Sequence, residues 1–226
     1  MRLDSFVPTC GAVKPRWGIR LSSDRKTHWQ QVYDEKEPNE VSWYQPVPEK
    51  SLQLIRATGV ARTDPVLDAG GGASTLVDYL LDEGYADISV LDISGKALAR
   101  SRSRLGDAAA AVNWIESDVT EFESARRYAL WHDRAVFHFL TESADRDKYI
   151  DVICRALQPR GYFVLATFGP QGPERCSGLE IRRYGIEQLQ ALLGASFELQ
   201  SHELDSHETP MGSRQQFLYS SWQLLI

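Results

Sequence analysis

Short apolar runs that end in an acid alternate along this chain with segments whose apolar residues recur at helical spacing. The first run, Pro65-Val-Leu-Asp68, is followed by Gly70, Gly71 and Gly72, then by Ser74 and Thr75 at the head of a segment carrying Leu76, Val77, Leu80 and Leu81. Those positions share one helix face, and Gly84 stands where a helix would stop, so strand, glycine turn and helix are expected. A second run, Ile88 to Asp92, leads to Ser94, the expected cap of a helix reaching about Leu105. Val112 to Asp118 reads as a third strand, and a fourth, within Tyr128 to Leu140, should end near His132.

The same alternation continues. Asp145 to Leu157 carries an apolar stripe of Tyr149, Ile150, Ile153 and Leu157. Pro159-Arg-Gly161 reads as a turn, and Tyr162 to Phe168 as a buried strand of nearly continuous apolar character. Beyond a loop rich in glycine and proline, a helix is expected at Ile186 to Leu193, with strands around Phe197 to Leu204 and Gln216 to Leu225. The link from Asp205 to Arg214 is too short for a helical crossover, so these last two strands should be antiparallel. With right-handed crossovers, the pattern predicts an α/β fold: a doubly wound, seven-stranded, mostly parallel sheet with an antiparallel last strand and helices on both faces.

Before the first strand the periodicity is weaker. Residues 1–24 mix prolines, glycines and basic residues and read as an extended arm, and residues 25–226 as one domain. Within it, residues 25–60 form an N-terminal lid before the core at 61–226. Asp24 can cap a helix through His28, Trp29, Val32 and Tyr33. Trp43 and Tyr44 lie between prolines and polar residues; they either pack on the sheet or close over a ligand.

Composition narrows the function classes. With 42% hydrophobic and 25% charged residues, 226 residues suit one α/β domain, and a net charge of -6 argues against general nucleic-acid binding. No apolar run suggests a signal peptide or a membrane span, so a cytoplasmic protein with no membrane partner is expected. Cys10, Cys154 and Cys176 are too scattered for a disulfide framework or a zinc knuckle, and no familiar metal spacing occurs around His202 and His207.

The chemistry gathers at one sheet edge. Glycines without a Cβ let backbone amides approach a ligand closely, and Asp92 ends its strand about 20 residues beyond them, where nucleoside-binding folds hold ribose hydroxyls. Asp118 follows the third strand. Taken singly, each acid could instead be a helix cap or a turn residue; taken jointly, that reading is the weaker one.

Together these residues carry a resemblance. Residues 66–168 resemble a class I S-adenosylmethionine (SAM)-dependent methyltransferase, whose first motif, Asp-x-Gly-x-Gly-x-Gly, reads here Asp68-Ala-Gly70-Gly71-Gly72-Ala-Ser74. Ser74 replaces the third glycine, which counts against a dinucleotide enzyme. The resemblance implies SAM as cofactor, with Asp68 and the turn Gly70, Gly71, Gly72 at its methionine part, Asp92 and Ile93 at the ribose, and Asp118 and Val119 at the adenine. His132, Asp133 and Arg134 then become candidates for contact with the acceptor, His132 as base and also as cofactor lining. Trp43, Tyr44 and Cys176 become candidate substrate contacts, and His138 a core histidine.

The expected function is direct SN2 methyl transfer to a small-molecule thiol or amine. A protein lysine is the alternative acceptor, because the aromatic N-terminal segment also looks like that of eukaryotic lysine methyltransferases. A non-catalytic SAM-binding module or a nicotinamide-dependent enzyme is the third reading. Nucleic-acid bases are disfavoured, since Trp131-His-Asp-Arg134 lacks the Pro-Pro-aromatic sequence that amino-directed enzymes carry after this strand.

Overall fold

The computed structural model describes residues 18–225. Residues 1–17 of the expected arm lie outside the described residues. Its last part is not extended: α1 runs Gly18–Glu35, beginning before Asp24. After a single 3₁₀ turn at Pro38–Glu40 and an irregular stretch, α2 (Glu49–Thr58) leads to the first strand, closed by Gly59 in the left-handed region with φ 71°.

Seven strands form one sheet in the order β3-β2-β1-β4-β5-β9-β8. Here β1 is Val66–Ala69, β2 Ile88–Asp92, β3 Val112–Glu116, β4 Tyr128–Arg134, β5 Leu157–Phe168, β8 Phe197–Glu208 and β9 Arg214–Leu224. The first five run parallel, and β9 inserts antiparallel between β5 and β8. A two-stranded hairpin, β6 (Arg175–Cys176) with β7 (Leu179–Glu180), structures the loop after β5. The helices between strands are α3 (Leu76–Asp82), α4 (Gly95–Leu105), α5 (Ser143–Ala156) and α6 (Ile186–Leu193).

Several boundaries differ from expectation for local reasons. β4 continues past His132 because Asp133 and Arg134 still pair with Leu165 and Ala166 of β5. Pro159-Arg160-Gly161 is not a turn before β5 but a distortion within it, with Arg160 at φ 62° and a register shift opposite Tyr128 and Leu130. A side chain at Gly161 would press on the carbonyls of Gln158 and Ala129. The β8–β9 link shrinks because the ladder continues to Glu208 opposite Arg214.

Two apolar layers cover the sheet. On one face Trp131, Phe137, Tyr149, Phe163, Tyr184 and Trp222 pack under α5 and α6; on the other Leu52, Ile55, Leu76, Val77, Leu80 and Leu130 pack under α2 and α3. Side chains alternate across a strand. In β4, Trp131 and Asp133 therefore point to the α5 face, while Leu130, His132 and Arg134 point to the α2 face. Chain order reverses between β1 and β4, and the crevice beyond their carboxyl ends is where open α/β sheets hold ligands.

Candidate functional site

The glycine turn leaves β1 at that crevice. Gly70 adopts φ 69° and lies against Val136, whose side chain a Cβ would strike. Added Cβ atoms at Gly71 and Gly72 would collide with the carboxylates of Asp68 and Asp92. The turn is thus packed between two acids. Ser74 accepts from the Leu76 amide at 3.1 Å, acting as the helix-start serine that its place in the motif suggests.

Asp68 is buried, with Oδ1 2.7 Å from His132 Nδ1, and His132 Nε2 lies 2.9 Å from Ser51 Oγ on α2. The second oxygen, Oδ2, is buried with no hydrogen-bond partner among the described residues. Asp68 lines a cavity together with Gly70, Gly71, Ser74, Thr75, His132, Arg134, Trp43 and Tyr44. An orphaned buried carboxylate oxygen calls for a donor from a ligand. Ser51 carried no motif in the sequence; only the packing of α2 on β4 reveals it.

The neighbouring cavity is lined by Asp92, Ile93, Asp118, Val119, Arg25, Arg134, Leu140 and an aromatic wall of Trp29, Tyr33, Trp43 and Phe139. Asp92 accepts from the Gly72 amide at 3.0 Å and the Ser94 amide at 2.8 Å. Burial pushes its carboxyl up to about 6, against the opposing pull of those two amides. Asp118 accepts from the amide and hydroxyl of Thr120, and Arg25 of α1 reaches it at 3.1 Å and Asp145 at 3.3 Å. Trp29 packs edge-on against Trp43 and Phe139, with ring centroids 5.7 and 5.0 Å away. Arg25, Trp29, Tyr33 and Phe139 were not singled out as site residues; their helical and apolar spacing signalled packing alone.

Other expected positions move. His132 is 3% exposed and both its ring nitrogens are taken, so it is not a free base. Asp133 lines neither cavity: it accepts from the Val136 amide at 2.9 Å and the Tyr149 hydroxyl at 2.8 Å, and so caps the turn after β4 on the opposite face. Cys176 also lies outside both cavities, packed with Ala166, Phe168, Phe217 and Tyr219, and burial pushes its thiol up to about 11. His138 is indeed in the core, stacked on Phe168 at 4.4 Å, with Nδ1 accepting from the Phe168 amide at 3.3 Å. His207 is buried and donates to the Ser42 carbonyl at 2.8 Å. Arg104 pairs with Asp78 at 2.7 Å and donates to the Ser74 carbonyl at 2.6 Å, tying α4 to the glycine turn.

Comparisons agree with this geometry. Residues 66–161 match the family model described as a methyltransferase domain. No curated protein matches the chain. Among solved structures, the N-methyltransferase NodS from Bradyrhizobium japonicum, in complex with S-adenosylhomocysteine, is similar at a TM-score of 0.66 and 16% identity, covering 86% of this chain and 97% of that one. The Burkholderia thailandensis 1,6-didemethyltoxoflavin-N1-methyltransferase, with bound 1,6-didemethyltoxoflavin and S-adenosylhomocysteine, superposes at 0.66 and 20% identity over 97% of this chain and 94% of that one. A SAM-dependent methyltransferase from Anabaena variabilis reaches 0.70 at 16% identity, covering 90% and 95% of the two chains. Sequence identity this low speaks for the fold. The match over residues 66–161, the strand order and the glycine turn between its two acids together give this chain a methyltransferase domain with the class I, Rossmann-like fold.

Proposed function

We propose that this methyltransferase moves a methyl group from SAM to a small-molecule thiol or amine by direct SN2 displacement. One observation carries the reading: two cavities meet at Gly70, one holding the orphaned Asp68 oxygen and the other Asp92. That arrangement fits a ligand with an ammonium at one end and a ribose diol at the other, since a carboxylate oxygen accepts from either.

When bound, SAM supplies a methyl group on a positively charged sulfur. The residues of this chain do the rest by holding and shielding. Asp68 Oδ2 takes the ammonium, held in place by His132 and, through it, by Ser51. Asp92 keeps lone pairs for the ribose hydroxyls while its two amide contacts fix its orientation, and Asp118 with Val119 borders the adenine. Trp29, Tyr33, Trp43 and Phe139 exclude water from the reacting centre, which favours a step in which charge disperses. With His132 occupied on both nitrogens and Asp133 facing away, neither of these two residues serves as a base for the acceptor. An acceptor that is already nucleophilic suits such a site, where alignment supplies the acceleration.

The direct test is incubation with methyl-labelled SAM and, in parallel, panels of thiols, amines and protein lysates. Label is expected in the small molecules. Label on protein alone would overturn the choice of acceptor, and binding of NAD without SAM in calorimetry would overturn the cofactor.

A further inference from the structure

We propose that Arg134 anchors a carboxylate on the methyl acceptor, an inference that rests on the methyl-transfer reading above. Arg134 ends β4 on the cavity face and lines both cavities, a position it shares with Gly70, Tyr33 and Trp43. If the adenosine part of the cofactor fills one cavity and the methionine part the other, that boundary is where the methyl group is handed over.

The guanidinium is held firmly and left incomplete. Nε donates to the Tyr219 hydroxyl at 3.0 Å, Nη1 donates to the Trp43 carbonyl at 2.7 Å, and the Phe217 ring lies 4.7 Å from its central carbon. Nη2 is buried and has no hydrogen-bond partner among the described residues. None of the ion pairs among the described residues includes Arg134. Asp133, next in the chain, faces Tyr149 on the other side of the sheet.

A half-buried cation without a counter-charge is costly, and arginine's fixed donor fork matches a carboxylate. A second positive charge, the sulfonium, at the same boundary raises that cost unless an anion lies between them. Two anions could fill the gap: a carboxylate on the acceptor, or that of the cofactor's own methionine part. The boundary position favours the acceptor: Arg134 lines both cavities, whereas Ser74 and Thr75 line the methionine cavity and not its neighbour. Tyr33 and Trp43, which line both cavities beside Arg134, suit a flat ring at that boundary, so the class indicated is an aromatic acid bearing a thiol or an amine.

The experiment pairs acceptors that differ by one carboxylate, thiosalicylate against thiophenol and anthranilate against aniline, and follows S-adenosylhomocysteine formation by the full chain. In the wild type the acid of at least one pair is expected to show kcat/KM about tenfold or more above its uncharged partner, the scale of a charge-assisted bidentate contact. Arg134→Gln should erase that preference while its affinity for S-adenosylhomocysteine, measured by calorimetry, stays within about threefold of wild type. Arg134→Lys, which keeps the charge without the fork, should fall between them and stands in if the glutamine variant does not fold. Equal use of both members of each pair overturns the proposal. So does a loss of S-adenosylhomocysteine affinity in Arg134→Gln, which would assign the arginine to the cofactor's carboxylate. If no acid is methylated or bound by the S-adenosylhomocysteine-loaded wild type, the proposal is also overturned. A wild type that binds neither SAM nor S-adenosylhomocysteine would instead bring down the underlying reading, and this inference with it.

Discussion

Ser51 has an importance that its residue type conceals. It is fully buried, and its hydroxyl is the partner of His132 Nε2, which in turn leaves Nδ1 to hold Asp68. Ser51→Ala strands a buried ring nitrogen and is expected to destabilise the fold by about 1–3 kcal/mol in urea titrations. Asp92→Ala removes the acceptor of two backbone amides as well as the proposed ribose contact, so SAM binding should weaken by about 1–3 kcal/mol in calorimetry; unchanged binding would place the ribose elsewhere. His138 sets a pH dependence. Burial lowers its pKa from 6.5 to about 3, so the unfolded chain binds its proton first as pH falls. Its contribution to stability is therefore whole above pH 6.5 and is lost as pH falls toward 3, at up to about 1.4 kcal/mol per pH unit. Asp92 and Asp133, both raised to about 6, act in the opposite sense between their ordinary range and pH 6. His138→Asn keeps an acceptor for the Phe168 amide, and its unfolding free energy should fall less steeply than that of wild type between pH 6.5 and 5, as read by denaturant titration.

At the scale of elements, the lid helix α1 is fastened to the core by polar contacts around an aromatic centre. Arg25 reaches Asp118 and Asp145, Gln30 meets the Ser94 hydroxyl and the Lys96 amide, and Arg100 of α4 donates to the Lys36 carbonyl just past the helix. Trp29 occupies the cavity wall between these fastenings. Arg25→Ala should loosen the first turns that carry side-chain contacts without unfolding the sheet: amide exchange in residues 24–35 is expected to rise while that of β1, β4 and β5 is unchanged. Equal exchange in both proteins would mean that the aromatic contacts alone hold the helix. The element order of this region was legible from apolar spacing. Its function was not, because a helix face that packs and a helix face that closes a cavity show the same periodicity.

At the scale of the whole molecule, β9 joins the parallel strands to the sheet edge, pairing with β5 on one side and β8 on the other. Trp222 of β9 is 1% exposed in the core layer under α5 and α6, with its indole nitrogen donating to the Ser220 hydroxyl at 2.9 Å. Trp222→Ala should cost about 3–5 kcal/mol in urea unfolding, the range for large aromatic truncations in a close-packed core. The same layer holds Trp131, Tyr149 and Asp133, whose contacts turn the aspartate away from the ligand.

Sequence alone determined the succession of strands and helices, the glycine turn and the acids that end β1 and β2, because hydrophobic period, glycine and capping chemistry act within a few residues of one another. It also carried the family resemblance, which depends on those same local signals. Only the tertiary structure decided which neighbours in Trp131-His-Asp-Arg134 face the ligand, since that depends on how far β4 pairs with β5 and on which side α2 and α5 pack. Likewise, only packing took Cys176 out of the cavity, gave His132 two partners and left Arg134 Nη2 without a partner among the described residues. Each of these outcomes depends on contacts between residues far apart in the chain.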